Sequence, residues 1–242
     1  MGRAFRAYFS GLADTYGELF PVVGMNVLWI ALSTPLLALG AVFILVGVGV
    51  GGPTNEMRDA LQSTLAILLI VALALGPNPA AAGIYLWANY LVRDERVEFS
   101  LVWRGLREYW WPAAKLFGIS VIGYALLIAN AAFYLASDQI ALKIFGIVWI
   151  YAIYFWTSMQ MYQLPLLIEQ DDKRVRLVLR NAFFLAFANV LDTLALTILV
   201  VVTLALSLVI AILIALVAGA MIAIVNTRAT HLLLERHRPA TT

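Results

Sequence analysis

The sequence predicts an all-α fold, a polytopic transmembrane helix bundle, and three observations carry that prediction. Of the 242 residues, 63% are hydrophobic and only 12% are charged, against about 25% charged in an ordinary soluble domain. Mean hydropathy is +0.92. The apolar runs are long and continuous, without the ten-residue alternation of a barrel strand. In lipid, such runs must satisfy their backbone groups internally, and they do so as helices.

Taken in order, residues 1–20 (MGRAFRAYFSGLADTYGELF) lack the apolar core of a signal peptide. Phe5, Phe9, Leu12 and Tyr16 recur at helical spacing, so an amphipathic helix lying on the membrane surface is expected. A crossing helix needs about 20 mostly apolar residues. The first span is expected within 22–50 and the second within 61–92. Residues 93–112 (RDERVEFSLVWRGLREYWWP) mix charge with aromatic rings and predict a separate cytoplasmic surface helix. Its apolar face would hold Phe99, Val102, Leu106, Tyr109 and Trp110. Spans three and four follow within 113–168. Segment 173–236 then holds about 40 nearly unbroken apolar residues, roughly 60 Å of helix and twice a bilayer's hydrocarbon thickness. Two helices, near 186–210 and 214–236, account for it. Six spans are expected, with five as the alternative, in one membrane domain covering 1–242.

All Lys and Arg residues except Arg58 and Lys143 fall on one side of a six-span arrangement. The positive-inside rule places that side, and both termini, in the cytoplasm of a bacterial inner membrane.

Polar side chains inside apolar runs are candidate functional positions, although amides also join helices to one another. Asn78, Tyr85 and Asn89 form a helical stripe ending near Arg93, and Gln160 and Gln163 form another. Asn26 shares a face with Ser33. Asn189 and Asp192 open the fifth span, and Asn226 and Arg228 lie in the sixth. Asp192 is the carboxylate deepest in apolar sequence. It must pair, neutralise or face water, and Arg228 is its expected partner. Together Asn26, Asn78, Tyr85, Asn89, Gln160, Gln163, Asn189, Asp192 and Arg228 define a candidate polar site. Two readings stand: a vestibule open to the cytoplasm, or helices extending past the bilayer on that side. Pro35 in the first span and Gly76, Pro77 and Pro79 in the second are expected helix breaks, since proline removes a donor and biases its predecessor away from helix.

The stretches MNVLWIALSTPLLALG (25–40) and LGPNPAAAGIYLWANYLVRDERVEFSLVWRGLREYWWPAAKL (75–116) resemble the YesL-like family of bacterial integral membrane proteins, a domain of unknown function. Asn26, Leu28, Trp29 and Pro35 match the opening of its pattern. Gly76, Pro77, Ala80 and Ala81 match its turn, with Asn78-Pro79 as a departure, and Tyr85 and Arg93 match the helix that follows. The likeness covers about 60 residues, and residues 41–75 form an insertion between its halves. It implies no known activity. It does imply an association with carbohydrate uptake.

The chain has no cysteine, hence no disulfide or thiolate chemistry. It carries no nucleotide-binding or metalloprotease motif. His231 and His237 read as interfacial tail residues, and Glu169, Asp171 and Asp172 as a loop cluster capping the next helix. No enzyme activity, cofactor, metal or nucleic-acid partner is expected. The expected contacts are membrane lipid, transporter subunits or a second copy of the chain. The leading expectation is an accessory or regulatory component of a membrane transport system. A small autonomous transporter or channel and a structural scaffold are the alternatives.

Overall fold

The computed structural model describes residues 2–49, 76–209 and 214–235, and all regular structure among them is helical. The helices are α1 (Gly2–Gly17), α2 (Leu19–Gly49), α3 (Ala82–Val92), α4 (Ser100–Leu135), α5 (Ile140–Glu169), α6 (Val175–Ala188), α7 (Val190–Val209) and α8 (Gly219–Glu235). A 3-10 turn (Pro79–Ala81) leads into α3, and a π turn (Ile214–Ala218) leads into α8.

Five helices among the described residues are long and apolar enough to cross a bilayer: Leu19–Val46, Ser100–Leu135, Ile140–Glu169, Val190–Ser207 and Leu216–Glu235. The one expected span missing from these five is the second, in 61–92. Its first part, 61–75, lies outside the described residues, as do Arg58, Arg236, His237 and Arg238. The described part, α3, has 11 residues, about 16 Å of helix and too short to cross alone.

The ends of α3, α5 and α8 meet at one end of the bundle, where Arg93, Asn89 and His231 all reach Glu169. These three helices therefore run parallel. Arg3, Ala4, Asp192 and Leu233 line one small cleft, so the starts of α1 and α7 lie beside the end of α8. The basic residues of the described chain, Lys143 apart, thus gather towards one end. Charge on the outer helices stops at Glu18 in α1–α2, at Lys115 in α4 and at Asp192 in α7. Beyond Lys115, α4 continues for 20 uncharged residues, about 30 Å and one hydrocarbon thickness. The bundle has two tiers, a basic tier and an apolar tier.

Three expectations are corrected. Residues 93–112 do not form a separate surface helix. Residues 93–99 connect, and Ser100 begins one 36-residue helix that continues through Pro112 to Leu135. Its first turns are held against α3 because glycines let the backbones touch. A Cβ on Gly105 would lie 2.7 Å from Gly83 Cα, and one on Gly83 would strike the Val102 carbonyl oxygen.

Helix α1 does not simply lie on a surface by its aromatic face. Its small residues Ala4, Ala7, Gly11 and Thr15 are buried, and a Cβ on Gly11 would lie 2.7 Å from a Val225 methyl carbon on α8. Phe5, Phe9 and Tyr16 point outward. Small residues win the interior because lipid solvates Phe as well as a protein core does, whereas close backbone packing is available only between helices.

Pro35 does not break α2, which runs uninterrupted from Leu19 to Gly49. A proline removes one helical bond, and Thr34 Oγ1 donates to the Ile30 carbonyl at 2.7 Å one residue away. The break at 76–79 is present. Asn78 is extended at ψ 122°, and its side chain accepts from Ala80 N at 3.0 Å to cap the turn.

Candidate functional site

The site is organised by α3. Residues 76–89 are buried without exception, so every polar group on them must find a protein partner. Asn78 Nδ2 donates to Ser33 Oγ on α2 at 2.9 Å. Near the middle of α3, Tyr85 Oη accepts from Asn226 Nδ2 on α8 at 2.9 Å. One turn on, Asn89 Nδ2 lies 3.4 Å from Glu169 Oε2 on α5 and 3.2 Å from His231 Nε2 on α8. At the helix end, Arg93 forms a close ion pair with the same Glu169 oxygen. The stripe expected at 78, 85, 89 and 93 thus makes polar contacts to three neighbouring helices.

Glu169 is the hub. Its Oε2 meets Arg93, Asn89 and His231, the last at 3.2 Å, and its side chain is 13% exposed against 43% for Arg93. Sequence alone read Glu169 as a loop residue and His231 as a tail residue. The structure makes Glu169 the last residue of α5 and brings both into one partly buried cluster. The acid's position at the end of an apolar run was the available signal. The cluster opens to a cavity of about 250 Å³ lined by Arg93, Glu169, His231, Leu234 and Glu235. Nearby, Lys173 donates to the Ile168 carbonyl at 2.9 Å and sits 5.1 Å from the centre of the Tyr109 ring. Partial burial lowers its ammonium pKa, while Glu108, Asp171 and Glu169 oppose that shift.

The other expected site residues do not join this cluster. Asn26 Oδ1 accepts from Gly219 N at 2.7 Å and Ala220 N at 3.2 Å, capping α8 from α2. Asn189 closes α6 by donating to the Leu185 carbonyl at 3.0 Å, and its own carbonyl accepts from Thr193 N at 2.8 Å. Gln160 meets Ser120 on α4 at 2.7 Å. Gln163 is fully buried, and neither of its side-chain polar atoms has a partner among the described residues.

The expected Asp192–Arg228 pair is not formed. Arg228 makes a two-point ion pair with Asp14 of α1, with Nη2 to Oδ1 at 2.7 Å, and Asp192 Oδ1 accepts from Ala4 N at 3.4 Å. The physical reason is α1. It lies against both α7 and α8 and supplies each with a nearer partner. The amphipathic pattern of residues 1–20 did not reveal that insertion.

Among the described residues no group of three or more acidic, His or Cys side chains is placed to hold a metal ion. Comparison with protein-family models, with curated proteins and with solved structures found no match.

Proposed function

We propose that this chain is an accessory component of a membrane transport system, working through the polar vestibule at its basic end. One observation carries the reading: the partly buried Asn89–Arg93–Glu169–His231 cluster opens to a cavity on the basic side, while the outer faces of the other tier carry apolar side chains. A one-sided polar chamber on a lipid-embedded base suits binding and regulation on one side of a membrane. Positive-inside bias makes that side the cytoplasm. The likeness to the YesL-like family makes carbohydrate-uptake subunits the first partners to test. The exposed Trp103 and Trp111 on the first turns of α4 are the first side chains to replace.

The test is purification from native membranes in mild detergent, followed by mass spectrometry. A stoichiometric transport subunit, lost in Trp103→Ala with Trp111→Ala, is the expected result. Recovery of the chain alone, together with solute flux in liposomes containing only this protein, would overturn it in favour of an autonomous carrier.

A further inference from the structure

Below the Glu169 cluster lies a second polar layer that the vestibule reading does not use. Helices α3, α5 and α8 run parallel from a shared end, so depth can be counted along each. Relative to Asn89, Glu169 and His231, the residues Tyr85, Gln163 and Asn226 sit about 6, 9 and 7.5 Å deeper. They occupy one level, and Gln160 is one turn deeper still.

This layer is sealed from solvent and poorly paired. Tyr85, Gln160, Gln163 and Asn226 are all at most 4% exposed. Gln163 Oε1 and Nε2, Asn226 Oδ1 and Gln160 Nε2 have no hydrogen-bond partner among the described residues. The Gln160 orphan does not depend on which way its amide is turned. Ser120 Oγ lies 2.8 Å from the Leu116 carbonyl and 2.7 Å from Gln160 Oε1. One hydroxyl proton cannot serve both. Turned either way, Gln160 keeps one amide atom unpaired. The Tyr85 hydroxyl accepts from Asn226 and still has its own proton to give.

Several unpaired amide atoms at neighbouring depths are far from the norm for a protein interior, where buried polar groups have partners. A guest is the ordinary resolution. Its chemistry follows from the groups. Donors and acceptors are both left over, and none is charged. A cation would call for acceptors alone, an anion for donors alone. A neutral O–H group offers both.

We propose that the Tyr85–Gln160–Gln163–Asn226 layer is an internal binding site for a neutral hydroxyl-bearing guest, water or a small polyol, entered from the vestibule. It rests on the vestibule reading for its route of entry. The test uses the purified chain in detergent, so its outcome is separate from whether a partner is found.

Radiolysis in ¹⁸O-labelled water marks side chains beside internal water. The proposal expects label at buried Tyr85, reduced in Gln163→Met, which keeps the volume and removes both amide atoms. If the guest is a polyol, erythritol raises the melting temperature of the wild type more than that of Q163M. Either result supports the proposal and names the guest. Absence of both overturns it, and Q163M then melts several degrees above wild type, because an orphaned buried amide has been removed. Should Q163M not fold, Gln160→Met serves as the second variant, and the Tyr85 label in the wild type needs no variant.

Discussion

The two tiers of this bundle are built by opposite rules. In the basic tier, the interior face of α3 meets α4 through glycines and meets α5 and α8 through amides, a tyrosine and a shared carboxylate. In the apolar tier, the second half of α4 and the first half of α5 present Ile122, Leu126, Phe133, Ile144, Phe145 and Tyr151 outward. Burial there tracks smallness and polarity: Ser120 and Gly146 are buried while their larger apolar neighbours are exposed. In water the hydrophobic effect sorts large apolar residues inward. In lipid that force is gone, and packing and hydrogen bonds decide what faces a helix. Substitutions should therefore cost most where backbones touch and least where side chains are large and apolar.

The largest effect is expected at the α3–α4 crossing. Gly83→Leu places side-chain carbon on the Val102 carbonyl oxygen, a backbone atom that cannot rotate away. The crossing must open, at a cost of more than about 3 kcal/mol. Size-exclusion chromatography in detergent should show loss of the monodisperse species. A normal profile would mean that the two helices are not in contact as described. Next is Glu169→Ala, which leaves Arg93, Asn89 and His231 without their common acceptor. Removing the acceptor of charge-assisted hydrogen bonds at a partly buried site costs about 1–3 kcal/mol, read as a melting-temperature drop.

Much of this was legible in the residues. Apolar run length gave the helices, and the 78–85–89–93 stripe gave the face of α3 that carries the polar contacts. The Gly-Pro-Asn-Pro segment gave its break. The partners were not legible, because a stripe says which face is interior but not what stands opposite. Asp192 and Arg228 looked like partners only while α1 was read as lying on the membrane, and its packing face is made of Ala4, Ala7, Gly11 and Thr15, which carry almost no hydropathy signal. Pro35 and Pro79 gave the same sequence signal and different outcomes. Pro79 follows an asparagine able to cap a new turn, whereas Pro35 lies in a continuous helix and follows a threonine that bonds back one turn.

Smaller effects probe that hidden role of α1 and the cap from α2. Asn26→Ala removes the acceptor for Gly219 N and Ala220 N and should cost about 1–2 kcal/mol. The pair Asp14 and Arg228 is about three-quarters buried. A double-mutant cycle with Asp14→Ala and Arg228→Ala should give a coupling of about 1 kcal/mol. A cycle between Asp192→Ala and Arg228→Ala should give no coupling. The opposite pattern would restore the pairing that sequence alone suggests and displace α1 from the bundle.

The smallest effect is the one that most directly tests the opposed rules. Ile122 is 62% exposed on the outer face of α4, beyond Lys115. Ile122→Ala would be a costly truncation in a soluble core, about 2–5 kcal/mol. Facing lipid, it removes contacts that acyl chains supply equally well, so the melting temperature in nanodiscs should move by no more than about 0.5 kcal/mol of stability implies. Gly123, its neighbour in sequence, faces α5, where a Cβ would lie 2.6 Å from Trp156 Cε2. Gly123→Ala should therefore destabilise clearly while Ile122→Ala does not. If the ranking were reversed, the face of α4 assigned to lipid would be the one that packs against protein.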